Sequence, residues 1–260
     1  LGVGLPVSLL LGGCEPSAPK TPVAHQVHYR LDWVWDAARK TADGAAWEVT
    51  NDVGFRVRVR RGYVTSYSME LVECAKDTPS VAWLGTLLWS TLEGRADAGH
   101  ATGTPNPAAI RPMQVESLTD PTAREVGVVL LAPQTYCQLH YLVARAGRDA
   151  PDLPADLDMV DASLHVDGTY RAAATDAEVA FTLHTPAAYG ALFDHTTAPA
   201  ASIHVDTGRW AMQVTVRRHL GRIFDGVDFV KMPNRVVANQ VLKSLIDHVE
   251  VEITPVDDHA

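Results

Sequence analysis

Histidine is the residue type in surplus. Eleven occur in 260 residues, roughly twice ordinary usage, and imidazole is the side chain most often used to hold a metal ion. His28, His140, His165, His184 and His204 each fall inside an alternating apolar-polar pattern, so each is expected on a strand. The pairs His165-Val166-Asp167 and His204-Val205-Asp206 place a carboxylate on the same strand face as an imidazole, the arrangement that orients a ligating ring. His100 lies in "GRADAGHATGTPNPAAIRP" (94–112), a small, polar stretch that cannot build a core and reads as a functional loop. His140 alternates away from Cys137 and is free to face a loop-covered site, and His28 is a further donor from the first strand. Met69 and Met113, if near such histidines, would favour copper over zinc.

Other chemistries leave no trace. The chain contains no Gly-x-Ser-x-Gly elbow, no His-Glu-x-x-His helix, no phosphate-cradling glycine loop and no Cys-x-x-Cys. A net charge of −9 argues against nucleic acid, whose phosphates require a basic partner. The Arg56-Val57-Arg58-Val59-Arg60-Arg61 run is the local exception, and its alternation reads as the solvated face of a strand.

The elements that must position these residues are mostly strands. Val27, Tyr29, Leu31, Trp33 and Trp35 alternate with polar residues; Phe55, Val57 and Val59 repeat the pattern, as do Tyr63, Tyr67, Met69 and Leu71 leading to Cys74. Further strands are expected at 126–131, 136–144, 160–167, 178–184, 201–206 and 210–217, with a closing strand over 249–256. Leu84, Leu87, Leu88 and Leu92 predict a short helix ending at Gly94, and Val237, Val241, Leu242, Leu245 and Val249 a longer amphipathic one behind Pro233. Many short strands punctuated by Gly, Pro, Asp and Thr predict a mainly β protein, an antiparallel β-sandwich. The Pro- and Asp-rich stretch 147–158 does not interrupt the β pattern, so 25–260 is read as one domain.

The first 24 residues have a different character. Leu1 to Leu11 carries no charge and ends at Gly12-Gly13-Cys14, after which Glu15 to Ala24 is polar and Pro-rich. The Leu11-Gly12-Gly13-Cys14 sequence resembles a bacterial lipobox, which implies that 1–13 is a truncated signal peptide, that Cys14 is acylated, and that 14–24 is an extended tether. The protein is then expected in the bacterial cell envelope, periplasmic or at the outer membrane or cell surface, with the membrane as a partner through lipid on Cys14. In that oxidising compartment Cys74 and Cys137 are expected to form a disulfide, the alternative being a thiolate pair on a soft metal.

The order of segments resembles the MbnP-like family of exported copper-binding β-rich proteins. "GYVTSYSMELVEC" (62–74), "LLAPQTYCQLHYLVARAGRDA" (130–150), "GTYR" (168–171) and "VAFTLHT" (179–185) carry the likeness, in order. It implies an Ig-like or MbnP-like sandwich and a non-catalytic role in copper uptake or delivery. An outer-membrane transporter or a periplasmic redox protein would be its partner, and His184 the ligand position that its motif marks. A candidate copper set is therefore His28, His100, His140 and His184. The rival reading is a sandwich that binds a protein or small ligand, with a structural disulfide and no metal. One acyl chain holds a protein to a bilayer only marginally and two or more hold it stably. Cys14→Ala in the exported protein is therefore expected to wash off membranes that retain the wild type; equal retention refutes the lipid anchor.

Overall fold

A computed structural model describes residues 25–74, 106–131, 134–172, 177–194, 203–204 and 211–256. The expected signal and tether, Cys14, His100 and the helix over 84–92 lie outside the described residues.

Two sheets face each other across one apolar core. Four strands make the first: β1 (His25–Val34), β7 (Arg124–Leu131), β13 (Ala211–His219) and β14 (Glu250–Pro255), in the order β14-β13-β1-β7. Val27, Tyr29, Leu31 and Trp33 are buried as the period-two pattern requires. β1 and β13 run parallel, a departure from a wholly antiparallel sandwich, while β1–β7 and β13–β14 are antiparallel.

The second sheet is organised around β4 (Arg56–Glu73), 18 residues long. β2 (Arg39–Lys40) and β3 (Trp47–Thr50) precede it, and β5 (Ala109–Ile110) and β6 (Gln114–Ser117) follow. The sheet is completed by β8 (Thr135–Val143), β9 (Leu164–Arg171), β10 (Val179–Thr185), β11 (Tyr189–Asp194) and β12 (Ile203–His204). Val64 pairs with both Glu116 and Leu164, and Ser66 with both Gln114 and Val143. β9 and β8 therefore take successive stretches of one edge of β4, opposite β6.

β4 could not be read by simple alternation because its phase changes twice. Register shifts fall between Val59 and Arg61 and between Ser66 and Ser68. An extra residue in one strand turns every later side chain to the other face. Val57 and Val59 are buried, then Gly62 and Val64, then Met69 and Leu71. Tyr63 and Tyr67, expected in the core with Met69, are only half-buried. Tyr63 packs instead on a small second cluster of Val115, Ala146, Ala150, Met159 and Ala162.

The strand expected at 160–167 begins only at Leu164, because Met159 to Ala162 forms a turn with Asp161 at positive φ, and it runs on through Arg171. At Gly168 a Cβ would stand 2.2 Å from the Arg58 carbonyl oxygen and 2.8 Å from the Phe181 ring, so the β4–β9 contact there requires glycine. The C-terminal helix α1 (Asn234–Asp247) buries Val237, Ala238, Val241, Leu242, Leu245 and Ile246 and lies against β10 and β11. Val249 falls just beyond it, before β14, as the closing strand requires. Cys74 and Cys137 form a disulfide joining the end of β4 to the start of β8, so the thiolate-metal alternative is excluded.

One ion pair sits inside this core. Arg218 on β13 is fully buried and Glu116 on β6 is 2% exposed. The guanidinium donates from Nη1 to Glu116 Oε1 at 2.5 Å and from Nη2 to Oε2 at 2.7 Å. Ser66 donates to Glu116 Oε1 at 2.6 Å, Trp33 Nε1 to Oε2 at 3.2 Å, and the Tyr141 hydroxyl lies 2.6 Å from Ser66 Oγ. The Trp33 ring lies 4.0 Å from the guanidinium carbon. Burial disfavours the Arg218 charge, but the Glu116 carboxylate outweighs it and holds the guanidinium protonated. Removing one member leaves an uncompensated charge, so Arg218→Met is expected to lower unfolding stability by about 3–5 kcal/mol. The double variant Arg218→Met/Glu116→Leu is expected to recover most of that loss, measured by denaturant titration; additive losses would show that the two charges are not coupled.

Candidate functional site

The outer face of the second sheet carries a row of polar groups in register. Tyr63 on β4 lies opposite His165 on β9, and His165 opposite His184 on β10. Core-facing Leu164, Val166, Phe181 and Leu183 fix the phase, so His165, Asp167, Thr182 and His184 share the other face. His165 and His184 stand edge to face with ring centres 6.2 Å apart. His184 is exposed, whereas His165 is only 7% exposed.

Asp167 ties this row together. His165 Nε2 lies 3.0 Å from Asp167 Oδ2, but off the line a directed hydrogen bond needs, so this buried nitrogen has no in-line acceptor. Arg61 donates to the same oxygen from Nε at 2.9 Å and Nη2 at 2.6 Å, and Thr182 Oγ1 donates to Oδ1 at 2.8 Å. Partial burial pushes the Asp167 carboxyl up, but His165, Arg61 and Thr182 together outweigh it and bring it down to about 2. Arg61 also reaches Asp156 at 3.2 Å, and Tyr63 donates to Asp156 at 3.5 Å, which fastens the 147–163 segment to the sheet.

The described members of the four-histidine set, His28, His140 and His184, do not share one face of the protein. His28 points outward from the four-stranded sheet, its Nδ1 3.0 Å from Glu125 Oε1. His140 and His184 point outward from the other sheet, away from the opposite surface of the sandwich. His140 stands between Glu70 on β4 and Leu192 on β11. Two-sided alternation assigns each histidine to a solvent face but not to a common one. Among the described residues no three His, Cys, Asp or Glu side chains are grouped to hold a metal ion. His100 and the Asp206 partner of His204 lie outside the described residues.

Met69 is fully buried in the main core, and Met113 packs on the second cluster. His165, which is not in that set, stands in register with His184, and its place beside Asp167 on one face was readable in His165-Val166-Asp167. No helix among the described residues is long and apolar enough to cross a membrane.

No protein-family model, curated protein or solved structure matches the chain. The residues therefore carry the functional reading.

His140 provides a pH test of its placement. Burial pushes its pKa below 6.5, and the nearby Glu70 carboxylate offsets this only in part. Its native state binds the proton less readily than the unfolded chain. Its contribution to stability is therefore complete above about pH 6.5 and declines as pH falls below that value. His140→Gln is expected to flatten the fall in unfolding free energy between about pH 7 and 5; an unchanged slope would place the titrating group elsewhere.

Proposed function

We propose that this is an exported, non-catalytic metal-binding protein, anchored through Cys14 in the cell envelope and acting in copper uptake or delivery. The single observation that carries the reading is the cross-strand pair His165 and His184, in register and 6.2 Å apart between ring centres. Imidazole suits copper, and the Asp167 carboxylate, 3.0 Å from His165 Nε2 though off the hydrogen-bond line, stands near the place where ligating histidines usually have an outer carboxylate. The disulfide between Cys74 and Cys137 agrees with an oxidising compartment. His165 and His184 would hold the metal; His28 and His140, on separate surfaces or strands, would not complete it.

A specific observation favours a second reading, a sandwich that binds a partner without metal. β7 is apolar from Val126 to Leu131, on both of its faces, with Val128 44% and Leu130 59% exposed. Strands with apolar residues on both faces are usually covered.

Copper titration of tag-free protein separates the two. Wild type is expected to bind about one ion saturably and to unfold about 2.7 kcal/mol less readily when free metal is a hundred times Kd. His184→Gln is expected to lose that stabilisation and His28→Gln to keep it. Without saturable binding the metal-free reading stands; equal binding by both variants moves the site away from this pair.

A further inference from the structure

We infer that the uncharged end of the four-stranded sheet, where Val128 and Leu130 of β7 are exposed, lies against the bilayer surface; the inference rests on the Cys14 anchor of the reading above. Each of the four strands carries its two Asp, Glu, Lys or Arg residues at one end. They begin at Arg30 in β1 and at Arg217 in β13, and they stop at Glu125 in β7 and at Glu252 in β14. Register brings these ends together: Arg30 pairs with Glu125, Asp32 with Arg217, and Arg217 with Glu250. From the row of Tyr29, Gly127, Val214 and Ile253 to the other end, the four strands carry no such residue. His25 and His28 lie in that half, and His28 is met by Glu125 across the boundary at 3.0 Å.

The uncharged end is also where the chain enters the fold from Cys14. His25 opens β1 opposite Leu131 of β7. Ten residues, Glu15 to Ala24, separate it from Cys14, a span of at most about 40 Å when fully extended, and the charged end lies about 30 Å further along β1. Val128 and Leu130 are 44% and 59% exposed and alternate with Val129 and Leu131, which pack on the core. The exposed pair therefore faces outward with Gln26 and His28, beside Gln213 and Thr254. Apolar groups among uncharged polar ones fit the boundary between headgroups and acyl chains, because no ion has to be stripped of water there. The opposite edge strand, β14, carries two glutamates and Pro255, devices that keep an edge free of partners, and β7 carries none of these past Glu125. Backbone groups on the open edge of β7 need water or headgroup oxygens, so the contact stops at the interfacial layer. Glu73 and Asp194, paired with Tyr136 and Gln138 near the start of β8, keep the second sheet in water at this end.

The test is tryptophan fluorescence quenching of the anchored protein on vesicles of phosphatidylethanolamine and phosphatidylglycerol with brominated acyl chains. With Cys74 and Cys137 joined, Cys14 is the one remaining cysteine, and coupling a maleimide phospholipid to it supplies the anchor whether or not the cell does. Leu130→Trp is compared with Val230→Trp, a 71% exposed position beyond the charged end of β13. Both positions are exposed, so both variants should keep the unfolding midpoint of the wild type. Over the wild-type background, quenching is expected to be about threefold or more greater at 130 than at 230. Adding Val128→Asp to Leu130→Trp should remove most of that difference. Equal quenching, or more at 230, overturns the bilayer assignment and leaves the anchor standing. Shielding of the indole at 130 without vesicles, together with a doubled mass in solution, makes a second copy the occupant and overturns the assignment as well. A free Cys14 thiol in the exported protein overturns the anchor and, with it, this placement.

Discussion

The Arg218–Glu116 pair is the interaction on which the sandwich depends. Its two members come from opposite sheets, and its remaining partners, Trp33 from one sheet and Ser66 and Tyr141 from the other, close the network. A charge buried between two apolar faces is tolerated only where its counter-charge and hydrogen bonds are in place. Arg218 therefore accepts few relative placements of the two sheets, whereas the valines and leucines around it would accept many. Burial in the core supplies the bulk of the driving force; the polar network selects one alignment. Tyr29 contributes a smaller constraint of the same kind, its hydroxyl donating to the Ala108 carbonyl at 2.6 Å from within the core.

β4 converts that alignment into a surface. It is the one strand that borders β3, β5, β6, β8 and β9, so its two phase changes determine what each neighbour presents outward. After the first shift Gly62 and Val64 turn inward, which leaves Arg61 and Tyr63 on the outer face beside His165 and Asp167. After the second, Met69 and Leu71 return to the core and Glu70 stands outside next to His140. The histidine row and the core arrangement thus share a cause. Arg61 and Asp167 would not meet at 2.6 Å if β4 ran without its bulge.

The polar row also has a structural role. Asp156 receives Arg61 and lies within reach of Tyr63, so the 147–163 segment is held against the sheet by the same charges that surround His165. Pairs of this kind at a partly exposed surface stabilise only modestly, and the apolar contacts of Val115, Ala146 and Met159 beneath them contribute the larger share.

Much of this protein was legible in the order of its residues. The alternation of Val27, Tyr29, Leu31 and Trp33 determines a half-buried strand wherever that strand is placed, and the spacing of Val237, Val241, Leu242 and Leu245 determines the buried stripe of α1. Cys74 and Cys137 could be expected to pair from their count alone, and they form the disulfide. His165-Val166-Asp167 was legible too, because residues two apart on a strand share a face. What alternation cannot contain is the identity of a strand's neighbours. That His165 faces His184, that His28 and His140 point from opposite surfaces, and that β1 pairs in parallel with β13 are facts of register between distant segments. Arg218 is the clearest instance. A charged residue after Val216 reads as the end of a strand, and only the arrival of Glu116 from the other sheet made it part of the core. Local periodicity depends on one chain segment and its solvent; pairing depends on which distant segment can satisfy the groups that folding removes from water.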